Sequence, residues 1–87
     1  MTKANRVNLE KDLIARTTET IYDAMKRNEV TKAELARRIG KTNAYVTQIL
    51  SGERNLTLRT IAAVAAALNM RPRVTLTDAD RAETGRR

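Results

Sequence analysis

The apolar residues of the first third of the chain recur at the spacing of one helical face. The positions that share this face are Ile14, Ile21 and Met25. Asn8 is suited to the N-cap position, and Asn28 can adopt the left-handed conformation that ends a helix. The pattern predicts a first helix from Leu9 to Arg27.

A second helix is predicted by its start and stop signals. Residues 31–34 read Thr-Lys-Ala-Glu, a capping box in which the Thr31 hydroxyl accepts from the Glu34 amide and Glu34 reaches back. Val30 and Leu35 flank the cap as a hydrophobic staple. Gly40 is expected to end this helix, because glycine adopts a left-handed conformation without steric cost.

A third helix follows after a very short turn. Thr42 stands two residues after Gly40 and is its expected N-cap. The expected inward face consists of Val46, Ile49 and Leu50. The polar run over residues 51–55 predicts a turn.

The fourth helix is predicted from an N-cap residue and a stripe of apolar residues at helical spacing. Leu56 and Ile61 resemble a staple around a Thr57 cap, while Asn69 and Pro72 mark the end. The expected apolar stripe consists of Leu58, Ile61, Ala62, Ala65 and Leu68.

Residues 73–77 alternate with a period of two and are rich in β-branched side chains, which predicts a strand. No other segment of the sequence predicts a strand that could pair with it. We therefore expect it to pair with a second copy, with Val74 and Leu76 covering the helical core. The alternative is an extension that lies on its own subunit. The expected dimer interface is Arg73, Val74, Thr75, Leu76 and Thr77.

The length of 87 residues leaves room for one domain. We place it at residues 8–77, between a flexible N-terminal arm (1–7) and a flexible tail (78–87). The chain has no Cys and no His, which excludes disulfides, thiolate catalysis and zinc–thiolate sites and removes the usual general base. We expect no enzyme activity, no cofactor and no metal. No signal peptide or membrane span is predicted, so a cytoplasmic location is expected.

Basic residues outnumber acidic ones by 17 to 10, a net charge of +7. The excess is concentrated in the middle of the chain, because residues 56–77 carry three arginines and no acid. Such a charge favours a polyanionic partner, either nucleic acid or an anionic membrane.

The segment from Thr31 to Leu50 has the packing pattern of a helix-turn-helix, with Ala36, Gly40 and Val46 at the positions where two short helices cross. The opposite face of the third helix carries no charge. Its members are Asn43, Ala44, Thr47, Gln48 and Ser51. Short amides and hydroxyls match base edges in a major groove, where Gln pairs with adenine N6 and N7.

The stretch TKAELARRIGKTNAYVTQILSGERN resembles the Cro/phage-repressor (XRE-type) helix-turn-helix family, and the resemblance covers about residues 14–69. It implies an all-α, compact four-helix lambda-repressor-like domain that binds double-stranded DNA. The base-reading residues it implies are Thr42, Asn43, Ala44, Thr47 and Gln48. The implied contacts to the DNA backbone are Thr31, Lys32, Lys41, Tyr45, Ser51, Gly52, Arg54 and Asn55. Tyr45 has a second interpretation, as a cover for the edge of the core.

The sequence departs from well-known family members after the fourth helix, where Pro72 and the strand replace a fifth helix. This end is similar to XRE-type antitoxins. The expected function is a transcriptional regulator, a repressor that binds a palindromic operator as a dimer. The alternative is an antitoxin that neutralises a protein toxin and regulates its own operon. A third hypothesis is an adaptor whose helix-turn-helix has lost DNA binding. The polar, uncharged face of the third helix argues against it.

Overall fold

The computed structural model describes residues 3–78, and within that range it contains four α-helices and no strand. The helices are α1 (Lys3–Arg27), α2 (Lys32–Ile39), α3 (Asn43–Ser51) and α4 (Leu58–Ala67). The prediction of an all-α fold is confirmed. Within the same residues, none of the helices combines the length and the apolar character that crossing a membrane requires.

The first helix is longer than the sequence pattern predicts. It begins at Lys3, so Asn8 lies inside α1 and its predicted role as N-cap is wrong. The predicted arm over residues 1–7 is therefore helical from Lys3 onward. Neither Gly nor Pro interrupts this stretch, so the helix continues without a steric break. Met1, Thr2 and all but the first residue of the predicted tail (78–87) lie outside the described residues.

Three of the four helices begin at a threonine N-cap. The hydroxyls of Thr31, Thr42 and Thr57 each accept a hydrogen bond of 3.1 Å from the backbone amide three residues later. The second half of the predicted capping box is wrong, because the Glu34 carboxylate binds the side chains of Arg37 and Arg38 instead of the Thr31 amide. Two guanidinium groups within reach offer this carboxylate charged donors.

All four helices end in the same backbone motif, in which a left-handed residue is followed by an amide that reaches back five residues. The left-handed residues are Glu29 (φ 55°), Gly40 (φ 71°), Gly52 (φ 83°) and Asn69 (φ 58°). The amides that reach back belong to Val30, Lys41, Glu53 and Met70, with hydrogen bonds of 2.8–3.0 Å. Each turn is therefore fixed by backbone hydrogen bonds.

The predicted stop at Asn28 is displaced by one residue. Asn28 remains on the helical side, where its side-chain Nδ2 donates to the Ala24 carbonyl at 2.7 Å. Glu29 adopts the positive φ instead. This places Val30 in the core at 7% exposure, so burial of Val30 outweighs the strain of a left-handed glutamate.

The core is entirely aliphatic, and no charged or polar residue of the described range is buried. Its buried members are Ile21, Ala24, Met25, Val30, Leu35, Ala36, Val46, Ile49, Val64 and Leu68. Helices α2 and α3 lie at its centre, since α3 packs against α1 and α2, and α2 also packs against α4. The core thereby fixes the orientation of α3.

The inward stripe of α4 is rotated from the predicted one. Val64 and Leu68 are buried, Ile61 is half-buried, and Leu58 is 71% exposed. Ala62, also predicted to face inward, is exposed. The partner helix α2 is only eight residues long and contacts α4 near its end, where Arg38 binds the Ala67 carbonyl. The buried positions of α4 therefore lie toward its C-terminal end, whereas Leu58 in its first turn is exposed.

Residues 70–78 follow α4 without helix or strand and are exposed. The predicted strand over 73–77 is absent from the single chain, because a strand exists by pairing and nothing described lies beside this segment to pair with it. Val74 and Leu76 are 72% and 92% exposed. In the single chain they do not cover the helical core.

Candidate nucleic-acid interface

The two faces of α3 separate as the sequence predicts. Val46 and Ile49 are 0% and 1% exposed and anchor the helix in the core, with Leu50 half-buried beside them. The opposite side carries four exposed residues without charge: Asn43, Ala44, Thr47 and Ser51. This uncharged surface, together with the half-buried Gln48, is called the α3 outer face below.

The beginning of α3 is fixed before any ligand arrives. Thr42 takes extended backbone angles and its hydroxyl accepts from the Tyr45 amide at 3.1 Å. The oxygen of this predicted base-reading residue therefore has a structural role as a cap. Asn43 and Ala44 follow it directly on the exposed side of the first turn.

A cluster of two cations and one ring lies next to the α3 outer face. The Lys41 Nζ is 5.2 Å from the centroid of the Tyr45 ring, and the Arg54 Cζ is 4.5 Å from it. Both distances are in the range of cation–π contacts. The half-buried Tyr45 thus brings together two cations separated by thirteen positions, and it serves as a platform for them.

The same arginine binds the amide of Gln48. Arg54 Nε and Nη2 both donate to Gln48 Oε1, at 3.1 Å and 2.6 Å. The family resemblance implies separate roles for the two residues, with Gln48 at base edges and Arg54 at the DNA backbone. Their spacing of six positions across a helix end gives no periodic signal. The signal that could have revealed the pair is Gly52, which turns the chain back over the last turn of α3.

The turn after α3 holds Arg54 in place through backbone bonds. The amides of Glu53 and Arg54 both donate to the Gln48 carbonyl, at 3.0 Å and 3.3 Å. The Ser51 hydroxyl donates to the same carbonyl at 3.1 Å. Ser51 and Gly52, both predicted backbone contacts, therefore help to build this turn, and Asn55 lies exposed beyond it.

The remaining predicted backbone contacts lie at the start of α2. Thr31 caps the helix through its hydroxyl, and Lys32 occupies the first helical position, half-buried. The first amides of a helix carry a partial positive charge that favours an anion. A cation beside them strengthens this attraction.

Two further arginines on α2 have structural partners. Glu34 binds both Arg37 and Arg38, and these side-chain hydrogen bonds hold the pKa of the Glu34 carboxyl below its usual value. The hydrogen bonds that Arg37 donates to Glu34 also raise the pKa of Arg37. Arg38 Nη1 donates to the Ala67 carbonyl at 2.8 Å, at the negative end of α4. Arg38 therefore connects the helix-turn-helix to α4, a role that no pattern in the sequence indicates.

Comparison with known proteins identifies the fold independently of this geometry. The profile of the Cro/C1-type helix-turn-helix family matches residues 21–74, more than half of the 87 residues. The match runs from the second half of α1 to the segment after α4 and includes α2 and α3. Neither the curated proteins nor the solved structures gave a match. The family consists of DNA-binding regulators and is not an enzyme family. The chain belongs to the Cro/C1-type helix-turn-helix family of DNA-binding regulators.

Proposed function

We propose that this protein is a sequence-specific transcriptional repressor that inserts α3 into the major groove of an operator. The observation that carries the proposal is the α3 outer face, an exposed and uncharged surface bordered by cations. Asn43 and Thr47 offer groups that donate and accept toward base edges. Lys41 and Lys32 lie at the starts of α3 and α2, where they attract phosphates.

Repression by this surface needs no chemistry. A protein that occupies a promoter excludes the polymerase by volume alone. The basic residues supply affinity for any duplex, and the α3 outer face supplies the preference for one sequence. Thr42, Thr47 and Gln48 contribute base contacts in this scheme, together with Asn43 and Ala44.

The repressor acts as a dimer in this proposal, and the C-terminal segment is its interface. Val74 and Leu76 are apolar, alternate in the sequence and are largely exposed in the single chain. Two copies of residues 73–77 paired antiparallel around a two-fold axis satisfy each other's amides and carbonyls. Arg73, Thr75 and Thr77 then face solvent. A two-stranded ribbon is weak alone, so contacts between helices must add to it.

The dimer implies a palindromic operator. Two copies of α3 related by a two-fold axis read the same sequence on opposite strands. Their separation must be about 34 Å, one turn of DNA, for both to enter successive major grooves. Footprinting of a selected site therefore shows two protected half-sites about 10 base pairs apart.

The test begins with the selection of genomic DNA fragments by the full chain, followed by sequencing. On the selected operator, Gln48→Ala is expected to cost about 1–3 kcal/mol for each half-site and to change binding to unrelated DNA little. The matched variant Lys32→Ala weakens binding to both DNAs alike, because a phosphate contact carries no base information. Equal losses on both DNAs for Gln48→Ala contradict the assignment of the reading face.

The dimer is tested by Val74→Pro, which removes a pairing amide without touching the buried core. We expect a shift toward monomer in analytical ultracentrifugation and weaker operator binding, with the helical circular dichroism retained. Thr77→Ala is the matched control, since it leaves the backbone donors of the segment in place. A Val74→Pro protein that remains dimeric assigns the interface to α1 or α4 instead.

The antitoxin alternative is favoured by one observation on α1. Leu9 and Leu13 lie one helical turn apart and are 52% and 66% exposed. Arg6 and Glu10 lie beside them on the same face of α1, so the two leucines form an exposed apolar patch with charged neighbours. A protein toxin is a suitable occupant for such a surface. Growth arrest by a neighbouring gene product, relieved by this chain and not by a Leu9→Ser, Leu13→Ser double variant, supports this role. Operator binding by that double variant shows that the two activities are separate.

A further inference from the structure

The hydrogen bonds between Arg54 and Gln48 change which base Gln48 can read. An amide oxygen has two lone pairs, and here two N–H donors of Arg54 point at the same Oε1. The orientation of the amide follows from its partner, because the flipped side chain would set NH₂ donors against guanidinium donors. The acceptor of Gln48 is therefore fully used within the protein.

The position of Arg54 does not depend on this contact alone. Its guanidinium stacks on the Tyr45 ring, with the Cζ 4.5 Å from the centroid. Its backbone amide donates to the Gln48 carbonyl at 3.3 Å. Three contacts of different kinds hold the arginine over the last turns of α3, so the pair enters the groove preorganised.

The outward groups of the pair are all donors. Gln48 retains its Nε2 hydrogens, and Arg54 retains the hydrogens of Nη1. The major-groove edge of guanine presents two acceptors, N7 and O6, whereas adenine presents one acceptor and one donor. Cytosine presents a donor. A surface made only of donors satisfies guanine and leaves the N6 donor of adenine without a partner.

We propose that Gln48 and Arg54 form one specificity-determining unit that reads guanine, in place of the adenine expected for an isolated glutamine. The proposal rests on the proposed function, because it requires α3 in the major groove. It also moves Arg54 from the DNA backbone to a base edge. Tyr45 is a positioning residue in this unit, since it acts through the arginine.

The experiment is selection from a random duplex library by the full chain and by three variants: Arg54→Ala, Arg54→Lys and Gln48→Ala. The operator position that loses its preference in Gln48→Ala identifies the base read by the unit. In the unaltered protein this position is expected to be guanine, and its replacement by adenine weakens binding about tenfold or more.

The two arginine variants separate base reading from charge. Either change frees a lone pair of Gln48 Oε1, since a lysine ammonium directs only one of its three N–H donors at a single oxygen and alanine has no donor. We expect the guanine preference at this position to fall at least fivefold relative to adenine in both. If Arg54 only contacts phosphate, Arg54→Lys keeps the preference unchanged, and that result overturns the proposal. Glu53→Ala is the matched control in the same loop and leaves the base preference unchanged, because Glu53 contacts Gln48 through its backbone amide.

The outcomes distinguish this inference from the function on which it rests. Selection of a defined sequence with adenine at the Gln48 position overturns the guanine unit and leaves the repressor proposal intact. Failure of the unaltered protein to enrich any sequence overturns both. Circular dichroism melting of each variant confirms that the helices are retained, because Arg54 is exposed and outside the core.

Discussion

The salt dependence of DNA binding tests the proposed interface without knowledge of the operator. The proposed interface has three cations in each protomer: Lys41 and Arg54, which contact Tyr45 beside the α3 outer face, and Lys32 at the start of α2. Each displaces counterions through its charge, whether it lies on a phosphate or beside a base. Two protomers present about six such charges, which gives a slope of log K against log salt near −5.4. A change from about 50 to about 200 mM salt then lowers affinity on the order of 10³-fold.

The perturbation is Lys41→Gln, measured by fluorescence anisotropy on a labelled duplex of arbitrary sequence. Removal of one cation from each protomer takes away two of the six charges, so the slope is expected to fall by about 1.8. Lys32→Gln has the same expected effect. The charge of Arg16 is balanced by Asp12 at 2.8 Å on α1, so Arg16→Gln serves as the matched control with an unchanged slope.

A slope near zero for the unaltered protein contradicts the prediction that cations of the interface displace counterions from DNA. A steep slope that neither lysine variant changes refutes the placement of the interface, because the charges responsible then lie elsewhere. A slope near −2.7 corresponds to about three cations and indicates that a single protomer binds. That result contradicts the proposed dimer on this DNA but agrees with three DNA-contacting cations in each protomer.

Three stability predictions follow from the backbone, the core and one carboxylate. Glu29→Gly is expected to raise the free energy of unfolding by about 0.5–1 kcal/mol, whereas Gly40→Ala lowers it by about 1–2 kcal/mol. The second effect is backbone strain, because no described heavy atom lies within 4 Å of the added Cβ, and urea unfolding checks both. Leu35→Ala costs about 2–5 kcal/mol and Leu58→Ala no more than about 0.5 kcal/mol, since the first is buried and the second exposed. The pKa of Glu34 is lower in the folded state than in the unfolded state, so its carboxylate stabilises the fold at pH values above the pKa of the unfolded state. This stabilisation is lost as the pH falls through the pKa of the folded state. Glu34→Gln is therefore expected to make the free energy of unfolding less dependent on pH in the acid range.

The sequence was most informative where a local rule decides the structure. The threonine caps, the stop at Gly40 and the turn over residues 51–55 depend on residues within about five positions of each other, so their chemistry is readable without the fold. The charge-free face of α3 was readable for the same reason, because helical periodicity alone places its members. The family match to residues 21–74 agrees with this part of the prediction.

Predictions failed where tertiary packing chose between local alternatives. Both Asn28 and Glu29 lie near the end of α1, and burial of Val30 selected the residue with the less favourable left-handed propensity. The burial of α4 residues depended on which turns of α4 the rest of the core covers, and helical periodicity within α4 does not contain that information. The Arg38 link to the Ala67 carbonyl spans 29 positions, and pairing at that distance leaves no pattern in one sequence.

The division of α3 into a buried side and a free side has an evolutionary consequence. The angle of the helix is set by Val46 and Ile49 and by the backbone bonds of its end motifs, none of which involves Asn43, Ala44 or Thr47. Substitutions at these three exposed positions are expected to change stability by no more than about 0.5 kcal/mol. A lineage of such regulators can therefore diverge in operator preference while every member keeps the same fold. Gln48 is the exception, since a change there also releases Arg54 and alters two contacts at once.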